Sequence, residues 1–215
     1  MVSLDQVSVP ADLYRQFIST IETRFIEAFG NHIDLVAMLQ QQAYETLLQG
    51  SEAFAIRNLE KAIADVAPQL SLAEIEQIPN WLASEQIIVP LRGHRAAFVH
   101  QSVTEYLAAC KFKNLLEQNV GDIGSLVDLR RWDNALFLTL SILDASLAAI
   151  VLREIIAHDI NFAFKASRFI QCGGEELVGQ LLDIVAKMPN EAFDLESIFA
   201  FEYLPLTPRQ YRKSF

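Results

Sequence analysis

Four histidines, two cysteines and one glycine pair are the residues from which a reactive centre in this sequence would have to be built. His32, His94, His100 and His158 are scattered, and none stands in the His-Glu-x-x-His spacing that puts two imidazoles on one helix face to hold zinc. No Gly-x-Ser-x-Gly elbow is present to expose a nucleophilic hydroxyl. Cys110 and Cys172 lie inside helical patterns without a second cysteine or a paired histidine nearby, so they read as buried free thiols. No Gly-x-x-x-x-Gly-Lys-Ser/Thr loop is there to cradle a triphosphate, and Gly173-Gly174 reads as a turn between helices. His158-Asp159 has the makings of an acid/base pair. At the end of an apolar helix, however, it reads better as a histidine favoured by the helix dipole followed by a capping aspartate. Trp81 and Trp132, spaced among Leu and Ile, read as core anchors rather than walls of a ligand cleft. No catalytic residue and no metal ligand is expected in the chain. An enzyme would need a long-range site gathering His32, His94, His158 and neighbouring carboxylates.

Arg92, His94 and Arg95 form the strongest local basic feature, of a kind that can touch a phosphate backbone. Against nucleic acid stands the formal net charge of −10, together with Glu74, Glu76 and Glu85 on the preceding helix, which would repel DNA in a groove. Charged residues interrupt every apolar stretch before it reaches the length of a membrane span, and the start, MVSLDQVSVPAD, has neither a basic region nor an apolar one. A cytoplasmic protein that binds neither membrane nor nucleic acid is the expectation. The 215 residues, 52% of them hydrophobic, are enough for one large or two small cores.

The elements that would position these side chains are mostly helices, because apolar residues recur every three or four positions and Gly and Pro fall at the joints. Pro10 opens the first helix, with Leu13, Phe17, Ile21, Phe25 and Phe29 as its apolar face and Gly30 as its closing residue. Helices follow over about 33–48 and 52–66, and a fourth starts at the capping-box sequence Ser71-Leu-Ala-Glu74, with Pro79 expected to kink or restart it. Ile87, Ile88 and Val89 are β-prone, Arg92 to Arg95 turn-like, and residues 96–99 can return, giving one hairpin over about 87–99. A second capping-box sequence, Ser102-Val-Thr-Glu105, is expected to start a helix through about residue 116 with Val103, Tyr106, Leu107 and Cys110 on one face. The soft stretch 119–124 predicts a boundary between a helical and winged-helix domain, 1–120, and a helical array, 121–215. In the array, helices are expected over about 132–143, 147–158, 161–171, 175–187 and 195–203, stacked like a helical repeat, before a frayed tail. The fold class is therefore mainly α, with one small β-hairpin in a winged-helix-like domain followed by stacked helices.

The stretch Phe98-Val-His100-Gln-Ser-Val-Thr-Glu105-Tyr106-Leu-Ala-Ala109 closely resembles the Phe-x-His-x-x-x-x-Glu-Tyr/Phe-Leu-Ala-Ala sequence found just after the wing in NACHT-type signalling ATPases of the STAND class. Its surroundings are similar to that family too, over residues 9 to about 170. Val9-Pro-Ala-Asp-Leu-Tyr14 resembles the start of the helix after the ATPase core, Leu82 to Ile87 resembles the segment entering the wing, and Arg131-Trp132-Asp133 looks like the start of a sensor or linker region. The resemblance implies that His100 contacts the β-phosphate of bound ADP and so locks a closed resting state. An imidazole N–H can donate to a phosphate oxygen, and the contact exists in only one domain arrangement. The rival reading of His100 is a partly buried histidine bonded to backbone at the strand-to-helix junction.

The family's phosphate-loop lysine, its magnesium-holding acidic strand and its sensor arginine are missing, so the chain alone is expected to be neither an ATPase nor a holder of any cofactor. ADP or ATP with magnesium would belong to a full-length parent, of which the abrupt start and the unfinished tail lead us to expect a fragment. The function the resemblance implies is a non-catalytic regulatory segment for signal transduction in defence, relaying nucleotide state between the parent's own ATPase domain and a protein sensor or effector. The alternative from a different class is a stand-alone helical-repeat scaffold that binds a protein partner through its C-terminal half, with no nucleotide role.

Overall fold

The computed structural model describes residues 10–170 together with Glu176, Gly179 and Asp183. The chain is mainly helical with a small three-stranded antiparallel sheet, and it divides into two compact units, one through Phe112 and one from Lys113. Among the described residues no helix is long and apolar enough to cross a membrane.

In the first unit, α1 (Pro10–Phe29) buries Ala11, Ile18, Ile21 and Phe25. The expected face is therefore rotated: Leu13 and Phe17 are 57% and 37% exposed, because a second stripe one position away competes for the core. Gly30 closes α1 at φ +78°, donating its N–H to the Ile26 carbonyl. The next helix, α2 (Leu35–Leu48), is capped by Asp34, whose carboxylate accepts the Ala37 N–H. Beyond it a strand, β1 (Phe54–Ala55), replaces the expected start of the third helix, so α3 spans only Ile56–Val66. Two residues are too few for an alternating pattern to show in sequence.

The capping box at Ser71 forms as expected and opens α4 (Leu72–Ser84). The Ser71 N–H and hydroxyl both donate to Glu74 Oε2 at 2.8 Å, while Ser71 Oγ accepts the Glu74 N–H. Pro79 does not restart the helix: α4 is continuous through it, with the ring buried, so packing outweighs the one backbone bond that proline cannot make. Trp81 packs edge-on to Phe25 and Phe29, as a core anchor would. Replacing Ser71 by Ala is expected to cost about 1 kcal/mol, read as a lower denaturation midpoint. The Ser71 hydrogen bonds hold the Glu74 carboxyl below its ordinary value. Its stabilisation is therefore present above the unfolded-state value and is lost as pH falls through the folded one, so the deficit of Glu74→Gln should vanish at acid pH.

The hairpin pairs β2 (Ile88–Leu91) with β3 (Arg95–Phe98), and β1 adds to the other side of β3, with Phe54 opposite Ala96. The sheet thus has one strand more than the hairpin expected. Arg92, Gly93 and His94 make the turn, with Gly93 and His94 both at positive φ. This conformation lets the His94 carbonyl accept the Ile56 N–H and ties the turn to the start of α3. Phe54 and Phe98 meet with ring centroids 5.4 Å apart beneath the sheet.

The boundary between the units falls within α5 (Gln101–Glu117). The second unit continues with a short helix α6 (Ile123–Val127) and a 3₁₀ turn, Arg130–Trp132, both too short to show a helical period in sequence. After them come α7 (Asp133–Ile142), α8 (Ala145–His158) and α9 (Ile160–Ser167). The helix expected over 161–171 thus ends early, at Ser167. Asp122, Asp144 and Asp159 cap α6, α8 and α9 by accepting the Ser125, Leu147 and Phe162 N–H groups. Trp132 is fully buried, and Phe137 stacks on Phe162 and Phe169. Of the helix expected over 175–187 only Glu176, Gly179 and Asp183 are described, and all three are helical. The helix expected over 195–203, the tail, Cys172 and Gly173-Gly174 lie outside the described residues.

Candidate functional site

The strand β3 ends with buried Phe98, and Val99 donates its N–H to the Ile87 carbonyl, so the hairpin delivers His100 at the entrance of α5. The His100 carbonyl accepts the N–H groups of Val103 (3.0 Å) and Thr104 (3.4 Å), which makes His100 the residue that caps the helix. Ser102 and Glu105 do not form the expected capping box. Helical bonding begins before Ser102, and Glu105 turns inward, 7% exposed, with an oxygen 3.3 Å from the Gln101 side-chain amide that donates to it. The expected burial of Val103, Tyr106 and Leu107 is present, and Cys110 is half-buried rather than buried.

His100 is exposed, not partly buried. Its Nδ1 lies 2.9 Å from Ser102 Oγ and 3.4 Å from the Ser102 amide nitrogen. A backbone N–H can only donate, so Nδ1 acts as acceptor and the hydrogen of the neutral ring belongs on Nε2. Nε2 has no hydrogen-bond partner among the described residues. The site therefore offers one oriented N–H donor at a helix entrance. Ser102 was not singled out for this role in sequence, although a hydroxyl two residues after a histidine at a strand-to-helix junction is a signal that can be searched for.

Behind His100, Tyr106 stacks on Tyr14 of α1 with centroids 5.3 Å apart. Burial pushes the Tyr106 hydroxyl well above the ordinary phenol range; its contact with Cys110 adds to this and Arg15 opposes it. An open groove of about 450 Å³ runs past His100, between Leu13, Tyr14 and Phe17 on one wall and Ser102 and Val103 on the other.

The other candidates are not gathered with His100. His32 lies in the link after α1, and a methyl group on Gly30 would sit 3.4 Å from its ring. His94, at the hairpin tip, has Nε2 3.5 Å from Glu60, and Arg95 donates to the Ala53 carbonyl at 3.2 Å. His158 ends α8, and Asp159 caps α9 while accepting a hydrogen bond from Arg130 at 3.1 Å, so this pair is occupied as the capping reading expects. Burial, opposed by Arg130, raises the Asp133 carboxyl above its ordinary value. Among the described residues no group of three or more His, Cys, Asp or Glu is placed to hold a metal ion. No protein-family model matches the chain, and comparison with curated proteins and with solved structures likewise finds no match.

Proposed function

We propose that the chain is a non-catalytic regulatory segment of a NACHT-type signalling ATPase of the STAND class, relaying the ADP or ATP state of the parent's ATPase domain to a protein sensor or effector in cytoplasmic defence signalling. The observation that carries this reading is the exposed His100, with its Nδ1 engaged by Ser102 and its Nε2 left to donate. A donor held in this way is suited to a phosphate oxygen presented by another domain, and it is lost when that domain moves away. The parent would bind the nucleotide and magnesium; this chain contributes the histidine.

Two further features support the reading. The order α2, β1, α3, α4, β2, β3, with β1 completing the sheet beside the hairpin, supports a winged-helix reading of the first unit. The Tyr14–Tyr106 stack also joins two of the stretches whose sequences resemble the family. In the second unit, short helices packed in succession fit a helical-repeat array. The test is the native reading frame: a phosphate loop upstream of Met1 is expected, with ATP hydrolysis in the full product and none in this chain alone. A native product that starts at Met1 would sink the reading and leave the stand-alone interaction scaffold.

A further inference from the structure

In the second unit, α6 and α8 leave between them an open groove of about 530 Å³. Its rim carries three carboxylates, Asp122, Asp128 and Glu154, and neither lysine nor arginine lines it among the described residues. Asp122 is held below its ordinary value by the Ser125 hydrogen bonds, which keeps it ionised. Asp128 and Glu154 are exposed and form no ion pair among the described residues. The floor is apolar: Leu147 is half-buried, and Ile150, one turn along α8, remains 49% exposed. One end is shut by the His158 ring. A methyl group on Gly124 would lie 2.5 Å from His158 Nε2, so glycine is what lets the ring settle against α6.

The geometry points to a docking site for a cationic, apolar-anchored segment of a partner protein: one aliphatic side chain seated on Leu147 and Ile150, flanked by lysines or arginines facing Asp122, Asp128 and Glu154. The apolar floor gives affinity to an aliphatic anchor, while the carboxylates around it, Asp128 and Glu154 above all, select positive flanks and repel negative ones. An anionic or nucleic-acid partner is disfavoured by the same charges. This inference stands apart from the role of His100, since it uses only residues of the second unit.

The test uses the full chain and fluorescein-labelled peptides with the same leucine spacing, carrying lysine, glutamine or glutamate between the leucines, plus a lysine–glycine peptide with no leucine. Fluorescence anisotropy should show binding of the lysine–leucine peptide alone, weakening as salt is raised. Asp128→Lys with Glu154→Lys should weaken it roughly tenfold or more, since two attractions become repulsions. Glu22→Lys with Glu27→Lys, an identical change in net charge on exposed positions of α1, should leave it nearly unchanged. Ile150→Gln, at an exposed position, should weaken binding without altering the melting curve. Equal losses in the two charge-reversed pairs, or equal binding of the leucine-free peptide, would reduce the effect to general attraction by an acidic protein and overturn the proposal. A wild-type dimer that Ile150→Gln converts to monomer, with no peptide binding, would assign the groove to a second copy and overturn it as well.

Discussion

On the proposed reading of the chain as a segment of a signalling ATPase, replacing His100 by alanine in the full-length protein is expected to raise basal signalling about tenfold and to speed ADP release. A hydrogen bond to a charged partner is worth about 1.5–3 kcal/mol, and removing it from one of two domain arrangements shifts their ratio roughly ten- to a hundredfold. The difficulty is that His100 also caps α5, so alanine removes a structural bond together with the proposed contact. His100→Asn separates the two. Asparagine is a good cap, but its shorter side chain does not place a donor where Nε2 lies. If the phosphate contact is the role of His100, both variants raise basal output, and only alanine lowers the denaturation midpoint appreciably. If His100 is only a cap, alanine costs about 1 kcal/mol of stability, asparagine restores it, and basal output stays at the wild-type level in both.

How much of this was legible in the sequence depended on element length and on how many readings one motif allows. Long helices and their stops were readable, because a 3.6-residue period and a positive-φ residue such as Gly30 are local signals. The hairpin was legible for the same reason. Strand β1, helix α6 and the 3₁₀ turn were not, since two, five and three residues cannot display a period. On α1, residues 13, 17 and 21 and residues 11, 18 and 21 form overlapping stripes, and tertiary packing rather than periodicity decides between them. At Ser102 the sequence Ser-Val-Thr-Glu fits a capping box, but helical bonding begins two residues earlier, at the His100 carbonyl, so the cap falls to His100. Histidine is outside the usual set of capping residues, so no propensity rule points to it. The site residue itself was found by resemblance alone. Its tautomer, its exposure and the groove beside α6 are products of tertiary structure.

Trp132→Ala is expected to be the most destabilising single change in the second unit. Trp132 is a fully buried side chain of the largest volume, at the point where the 3₁₀ turn passes into α7. Truncating a buried tryptophan costs about 3–5 kcal/mol, a large share of the roughly 5–15 kcal/mol that holds a domain folded. The sequence has two tryptophans, and the other, Trp81, lies in the first unit, so the variant carries its own internal reporter. Circular dichroism should show a helical transition displaced to a clearly lower denaturant concentration. Trp81 fluorescence in the same samples should keep its wild-type midpoint if each unit holds its own core. A joint fall of the two midpoints would mean that the units unfold as one. A displacement worth less than about 1 kcal/mol would instead show that the tryptophan is replaceable by local collapse, and would remove it as the anchor of this unit.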